Sequence, residues 1–335
     1  MNSMFKKLLC IAAALAVSVL FGTVCYAETE FEDVEVNVPP QMLFLGDSIA
    51  SGYGLDGYDT GRENCRSYAN ILAGEYSGEL SQSCGFSMTN LAEDGQTSSE
   101  LLEKMNNGKY DDDIKNADCI VISIGGNDLL GVMLDTIVSS GIGGDSSSDI
   151  SFDLKSLISG IKDMSERLDK NLDSFDENIS GAAGYIRKIS SAEIIVQTLY
   201  NPLEDFEIIP SFKKLADEKI GKLNEIINSH SEDRDGGYTV CDVASAFSGK
   251  SKELTRISQL DIHPNSKGHE VIASCVDKSV RSRSYSYKKA IEASAEISEK
   301  KPTALTAALA GSVIILTAFA AFAVRMIISA KRNRH

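Results

Sequence analysis

The 335-residue chain has no tryptophan and only four histidines, and it contains neither a CxxC nor an HExxH motif. The lack of tryptophan argues against a broad aromatic platform for sugars. Without those cysteine and histidine spacings there is no pattern for a zinc site, so we predict no metal site. The absence of a GxSxG motif argues against the ordinary α/β-hydrolase elbow. Hydrophobic residues still make up 43% of the chain, which is enough for a folded core.

Basic residues are scarce except near the two ends of the chain. The whole chain carries a net charge of −15, yet no acidic residue lies in residues 1–27 or 325–335. Residues 28–324 therefore hold 27 basic and 48 acidic side chains, a net charge of −21. A body this acidic repels phosphate backbones, and no basic stripe offsets the repulsion. Nucleic acid is excluded as an expected partner.

Two apolar segments predict where the chain resides. Lys6 and Lys7 precede an uncharged run, which is typical of a signal peptide over residues 1–27. Residues 303–324 form a second uncharged run, about 33 Å long as a helix and so long enough to span a bilayer. A basic tail, residues 325–335, follows it and indicates a cytoplasmic C-terminus. We expect a single-pass protein of the cell membrane with its main domain outside; a buried soluble helix is the alternative for the second run.

Five cysteines remain once the predicted signal peptide is set aside, and an odd number leaves at least one thiol unpaired. Cys119 and Cys241 stand in apolar, strand-like runs and are expected in the core. Cys65 and Cys84 stand in polar loops and are the better candidates for a disulfide. Whether these two pair stays open at this point.

Short apolar runs alternate with helical segments along the chain. The predicted strands are Met42–Leu45, Met88–Ala92, Cys119–Ile124, Glu193–Leu199 and Tyr238–Val243. The predicted helices are Ser67–Tyr76, Ser98–Met105, Leu154–Ile189 in several pieces, Ser211–Ser229 and Ser266–Ser279. This alternation is typical of a parallel sheet covered by helices on both faces. We therefore predict a three-layer α/β/α domain over residues 41–280 with a five-stranded parallel sheet.

Three further segments stand outside this alternation. Residues 28–40 are acidic and form a leader, and residues 281–302 form a polar stalk with no room for a second domain. Residues 139–175 are an insertion between the third and fourth strands, and its first part is rich in glycine, serine and aspartate. It is a candidate lid over the site, and a solvated surface excursion is the alternative.

Four polar blocks each follow a predicted strand, on the edge where a parallel sheet binds ligands. They contain Ser48, Gly95, Asn127 and His263. Ser48 stands just past a strand and before small residues, where a nucleophile is needed, although a lone serine there is more often a helix cap. The three later blocks favour the interpretation of Ser48 as a nucleophile over that of a helix cap.

In this order the blocks resemble the SGNH hydrolases, also called the GDSL esterase/lipase family, whose letters fall on these four residues. The resemblance covers residues 41–275. It implies a flavodoxin-like fold and an ester hydrolase without a cofactor, and the predicted signal peptide and membrane span indicate a bacterial, membrane-anchored member. It also implies that Ser48 is the nucleophile and His263 its base, with the Ser48 N–H, the Gly95 N–H and the Asn127 amide as the oxyanion hole. We further assign Asp47 and Tyr200 to substrate contact.

The acid of the triad departs from the family pattern. The family commonly places it three residues before the histidine, where this chain has Leu260, whereas Asp261 lies two residues before His263. Either Asp261 completes a triad through altered loop geometry, or the enzyme is a Ser–His dyad whose imidazole is oriented by a backbone carbonyl. We favour Asp261.

The resemblance implies hydrolysis of carboxylic esters through an acyl-enzyme, and small-acyl or lysophospholipid-like substrates are favoured. A glycan O-acetyl esterase of the cell wall is the alternative. A hypothesis of a different class is a catalytically idle SGNH-like binding module, whose only support is Leu260 at the usual acid position. No obligate protein partner is indicated.

Overall fold

The computed structural model describes residues 31–129, 133, 154–205, 210–231, 237–259 and 261–291. Residues 33–289 form one compact unit; residues 1–32 and 290–335 form a second, of which only four residues are described. The predicted signal peptide, residues 1–27, and the predicted membrane span, residues 303–324, lie outside the described residues. Within the described ranges, no helix combines the length and apolarity needed to cross a bilayer.

The described residues contain seven strands, nine α-helices with defined bounds and a further helical stretch. The strands are β1 (Phe31–Val36), β2 (Gln41–Gly46), β3 (Ser87–Asn90), β4 (Cys119–Ser123), β5 (Glu193–Gln197), β6 (Thr239–Cys241) and β7 (Tyr285–Ala290). The helices are α1 (Ser48–Ser51), α2 (Tyr68–Leu80), α3 (Ser98–Asn106), α4 (Asp111–Asn116), α5 (Leu154–Ile189), α6 (Pro210–His230), α7 (Val243–Phe247), α8 (Ser251–Leu254) and α9 (Ser266–Val280). Short 3-10 turns cover Tyr58–Thr60, Arg62–Asn64 and Ile257–Gln259, and residues 126–129 are helical.

Five of the strands form the predicted parallel sheet, in the order β3-β2-β4-β5-β6. Numbered within the sheet this order is 2-1-3-4-5, the flavodoxin-like arrangement. The middle residues of the central strands β2, β4 and β5 are apolar and buried because both faces of the sheet are covered. Phe44 and Val121, which are register partners on β2 and β4, are fully buried. The five-stranded sheet predicted from the sequence is confirmed.

The face of the sheet on which each helix lies follows from the handedness of the connections between the strands. A right-handed crossover from β2 to β3 places α2 on one face of the sheet, and crossovers in the other direction place α3 to α6 on the opposite face. The packing agrees, because α9 lies against α2 while α5 lies against both α3 and α6. The carboxyl ends of the strands thus share one open edge.

Helix α5 is continuous over 36 residues, so the prediction of several pieces was wrong. Its buried side chains recur at helical spacing, as the run Leu168, Leu172, Phe175 and Ile179 shows. No proline interrupts the helix, and the buried stripe that begins at Met164 packs into the core. Residues 154–175 of the predicted insertion therefore belong to a long helix; residues 139–153 lie outside the described residues.

The leader and the stalk contribute structure that the sequence analysis missed. Strand β1 comes from the acidic leader and β7 from the polar stalk, and together they form a separate two-stranded sheet. Tyr285 in β7 is buried against the main core. Ordered structure thus extends on both sides of the predicted domain, residues 41–280.

The suggested disulfide between Cys65 and Cys84 is absent, since all five described cysteines are free thiols. Cys65 is buried, and its Sγ lies 3.1 Å from the carbonyl oxygen of Arg62, whereas Cys84 is exposed in the turn after α2. Cys119 and Cys241 lie in the core as predicted, and burial raises the pKa of both thiols to about 12.

Candidate active site

A sharp turn between β2 and α1 presents Ser48 at the edge of the sheet. Gly46 adopts a φ of +122°, and a Cβ added there would lie 1.8 Å from the carbonyl oxygen of Ser123, so only glycine fits. The next residue, Asp47, caps α1 by accepting a hydrogen bond of 3.0 Å from the Ile49 N–H. Ser48 is then the first residue of the helix, where backbone N–H groups have no partner within the helix.

The structure brings Ser48, His263 and Asp261 into one chain of contacts. His263 Nε2 lies 2.9 Å from Ser48 Oγ, and Asp261 Oδ1 lies 2.5 Å from His263 Nδ1. The same Asp261 oxygen also accepts the His263 backbone N–H at 3.0 Å. Asp261 lies only two positions before His263, and the loop folds back on itself so that the carboxylate reaches the ring.

Arg256 holds the second oxygen of Asp261, and the sequence analysis did not single it out. Its Nη2 lies 2.7 Å from Asp261 Oδ2, and its guanidinium also donates to the backbone oxygens of Tyr53 and Gly54. A Cβ at Gly54 would lie 1.9 Å from Arg256 Nη2, so the absence of a side chain there makes room for the guanidinium. Arg256 is a positioning residue that ties the Asp261 loop to the segment after α1.

The loop that carries His263 is closed at its base. An isolated antiparallel bridge joins Thr255 to Pro264, and the Arg256 N–H donates to the His263 oxygen at 2.9 Å. Asn265 caps the following helix α9 through the Gly268 N–H at 3.0 Å. These bonds fix both ends of the loop and leave little freedom for the imidazole.

Gly95 and Asn127 lie on two neighbouring loops of the same edge. Gly95 is exposed with a φ of +79°, and a Cβ there would meet nothing within 4 Å. Asn127 Nδ2 donates to the Gln96 oxygen at 3.0 Å, which links the two loops directly. Asp94 ties the Gly95 loop to α1, because its carboxylate accepts a hydrogen bond from Ser51 Oγ at 2.5 Å.

Tyr200 does not line the cleft, which corrects the expectation that it contacts substrate. It is only 3% exposed and stacks on Phe247 with ring centroids 4.4 Å apart. Its hydroxyl donates to the Ile262 oxygen at 2.9 Å, directly before His263. Burial raises the pKa of Tyr200 well above its ordinary value. Tyr200 supports the histidine loop from below.

Asp47 also points inward instead of toward a substrate. It is 2% exposed, and its carboxylate accepts from the backbone of Ile49 and Gly126. Burial, with the nearby Asp128 acting in the same direction, raises the pKa of Asp47 to about 7. The expected role of Asp47 in substrate contact is therefore replaced by a role in shaping the turn that carries Ser48.

We expect Asp47→Asn to remove a pH dependence of stability. Because the folded state binds the Asp47 proton more tightly than the unfolded state, this residue's contribution to stability falls as pH rises from about 4 to about 7. A shift of this size corresponds to up to about 4 kcal/mol. Asparagine keeps the helix cap but does not titrate.

The measurement is urea unfolding of both proteins across that pH range, read as the difference in the free energy of unfolding. The buried His269 acts in the opposite direction, because desolvation lowers its pKa to about 3, and the difference cancels this contribution. Asp112→Asn, on the exposed side of α4, is the matched control. A difference that does not change with pH would contradict a raised pKa at Asp47.

His269 is no rival to His263 as a base. It is fully buried, stacks on Tyr68, and accepts the Tyr68 N–H at its Nδ1 at 3.2 Å. Its lowered pKa keeps it neutral at ordinary pH. In the described part of the chain, no three His, Cys, Asp or Glu side chains are grouped so that they could hold a metal ion.

The parallel sheet and the Ser48–His263–Asp261 chain at its carboxyl edge define an α/β domain with the site geometry of a serine hydrolase. The model of the GDSL-like lipase/acylhydrolase family matches residues 44–271, more than half of the chain. The chain therefore belongs to this family of carboxylic ester hydrolases.

Individual relatives are more distant. The chain is 26% identical over 202 residues to the uncharacterized protein YpmR of Bacillus subtilis (strain 168); the match covers 57% of this chain and spans only 65% of that relative. Among solved structures, the lipase Lip_vut3 from a goat rumen metagenome is 22% identical with a TM-score of 0.53, covering 71% of this chain and 96% of that one.

Phospholipase A1 from Streptomyces albidoflavus NA297 is 16% identical with a TM-score of 0.51, covering 72% and 99%. An extracellular lipase from Streptomyces rimosus has the same identity and TM-score, covering 71% and 99%. At these identities the similarity establishes a shared fold.

Proposed function

We propose that this chain is a serine esterase that acts through an acyl-enzyme. Ser48 Oγ attacks the ester carbonyl, and His263 takes its proton and passes it to the departing alcohol. Water then attacks the acyl group, with His263 taking a proton from the water and returning one to Ser48. The observation that carries the proposal is the unbroken chain from Ser48 Oγ to His263 at 2.9 Å and on to Asp261 at 2.5 Å.

In this proposal three donors stabilise the oxyanion. They are the Ser48 N–H at the start of α1, the Gly95 N–H on its open loop, and the side-chain amide of Asn127. Asn127 already donates one hydrogen to Gln96, which orients the amide and leaves the second hydrogen for the substrate. Donors held in place before the reaction lower the barrier by about 3–4 kcal/mol each.

The proposed substrates are small-acyl or lysophospholipid-like esters at the outer face of a membrane. Two sequence features support this: the signal-like residues 1–27 would export the domain, and the apolar residues 303–324 would tether it close to lipid. A lipase and a phospholipase A1 share the fold. Tethering also keeps the site near cell-wall glycans, and the acyl-length preference separates the two.

The test uses the full-length chain in detergent with a fluorophosphonate probe and p-nitrophenyl esters from acetyl to dodecanoyl. We expect covalent labelling of the peptide that contains Ser48, no labelling in Ser48→Ala, and ester turnover by the unmodified chain. The optimum acyl length then indicates acetyl or lipid substrates. A folded chain that neither labels nor turns over any ester would favour the idle binding module.

A further inference from the structure

An exposed aromatic ring lies directly against the imidazole of His263. The Tyr53 ring centroid is 4.9 Å from the His263 ring centroid, with the two planes inclined by 51°. Tyr53 is 44% exposed, which is unusual for a large aromatic side chain so close to a buried core. The mechanism above assigns no role to this ring.

The ring is held in place from several directions. Tyr58 packs edge-on against it with centroids 5.7 Å apart, and the Tyr58 hydroxyl donates to Asp94 beside Gly95 at 2.6 Å. The Tyr53 backbone N–H donates to the backbone carbonyl oxygen of Ser48 at 3.0 Å, and the backbone carbonyl oxygen of Tyr53 accepts from Arg256 at 3.3 Å. The exposed ring is therefore part of the rigid site, and binding against it costs little ordering.

The chemistry decides which part of a substrate meets Tyr53. His263 Nε2 must receive the Ser48 proton and then donate it to the oxygen of the departing alcohol, so that alcohol lies against the imidazole. In the proposed mechanism the carbonyl oxygen instead meets the donors of Gly95 and Asn127. A ring that flanks His263 and stays open to solvent thus borders the alcohol side of the ester.

We propose that Tyr53, supported by Tyr58, is the binding platform for the alcohol part of the ester and selects alcohols that carry a rigid ring. This rests on the proposed function. A ring such as a sugar or an aryl group covers an aromatic face without losing rotamer freedom, whereas a flexible alkyl alcohol pays that entropy. Among the proposed substrates, Tyr53 therefore favours small-acyl esters of ring alcohols over the open-chain glycerol ester of a lysophospholipid, and acyl-chain preference is left to other residues.

The test compares acetate esters of ring and open-chain alcohols that are matched for the acidity of the alcohol. Phenyl acetate and an acetylated methyl pyranoside stand for the two ring sources, each paired with an open-chain alkyl acetate that is fluorinated to match the acidity of its alcohol. The full chain is expected to favour the ring esters by about tenfold in kcat/KM. Tyr53→Phe keeps the preference, while Tyr53→Ala and Tyr53→Leu lose it.

A second readout separates binding from packing. All acetates give the same acetyl-enzyme after the alcohol has left, so Tyr53→Ala is expected to slow acylation by ring esters and leave the deacylation rate unchanged. Acyl-length preference with a constant alcohol is also expected to stay unchanged. Tyr287→Ala, in β7 of the separate two-stranded sheet, is the matched control.

Two outcomes would overturn the proposal. One is an equal preference of the unmodified chain for ring and open-chain esters. The other is an equal fall of acylation and deacylation in Tyr53→Ala and Tyr53→Leu, which is the result expected if the ring only supports His263. Failure of the proposed function is recognised separately, because then no acetyl-enzyme forms and Ser48 does not label.

Discussion

Replacing His263 by alanine is expected to lower kcat about a million-fold, close to the full contribution of a serine hydrolase triad. The imidazole is the only described group placed to take the Ser48 proton, since its Nε2 lies 2.9 Å from Ser48 Oγ. His269, the nearest alternative in sequence, is buried and held neutral by its low pKa. No second base therefore rescues the variant.

The sharper measurement is the double variant. If Ser48 and His263 act as a unit, Ser48→Ala with His263→Ala is no slower than either single variant, because the first change already removes what the second would remove. The rates are measured with one p-nitrophenyl ester under saturating conditions, and circular dichroism checks that the variants are folded. His230→Gln, at the end of α6 where the ring contacts Asp176, is the matched control. Losses that add between the two sites would contradict a shared proton transfer.

Local patterns explain why so much of the fold could be predicted. The strands β2 and β4 are apolar runs because both of their faces are buried. Such runs can be recognised in the sequence without knowing which strands pair. The same holds for Ser48 and Asn127, which each follow a strand and so must lie at its carboxyl end. The glycine at position 46 fits this turn, although the reason for it, the approach of the Ser123 oxygen, is visible only in three dimensions.

The residues that were missed act across the loops. Arg256 reaches Asp261 and the oxygen of Tyr53 only because the Thr255–Pro264 bridge folds the chain back, and nothing in its neighbourhood in sequence marks it. Tyr200 was expected in the cleft because it follows a strand, but its ring turns inward onto Phe247. A position at a strand end predicts the edge of the sheet and does not predict the direction of the side chain.

The pairing of β1 with β7 was missed for a related reason. The segment over Phe31–Val36 alternates in polarity but is short and acidic, and its partner lies some 250 residues later. Contacts so distant in sequence leave no local signal beyond that alternation. The prediction of a disulfide between Cys65 and Cys84 was wrong because it relied on the polarity of the loops alone, whereas Cys65 is buried beneath its loop.

At the active site, the sequence pattern left open which group orients His263. In the structure Asp261 reaches His263 from two residues away, because one oxygen accepts both the backbone N–H and the ring nitrogen while Arg256 holds the other oxygen. A loop carbonyl in that place would make a dyad, and here a carboxylate occupies it. Leu260 at the family's usual acid position is therefore compatible with a complete triad.

We expect Asp261→Asn to lower kcat by roughly ten-thousand-fold. With its oxygen toward Arg256, asparagine turns its amide toward His263, where it donates to Nδ1 and so places the ring proton on Nε2, while the backbone N–H of His263 loses its acceptor. In that tautomer Nε2 cannot accept the Ser48 proton, and the reaction loses its base. The ¹⁵N chemical shifts of the His263 ring report the tautomer directly, alongside the kinetic measurement.

A dyad makes a different prediction for the same variant. If a backbone carbonyl can orient the imidazole when the carboxylate is lost, the kcat of Asp261→Asn falls by no more than about tenfold, because one neutral hydrogen bond is worth only about 1 kcal/mol. The ring then keeps its proton on Nδ1. Asp112→Asn, an exposed change of the same kind in α4, controls for the loss of one negative charge. The rate and the tautomer must change together for Asp261 to be the acid, since a slow enzyme with an unchanged tautomer would indicate only a disturbed loop.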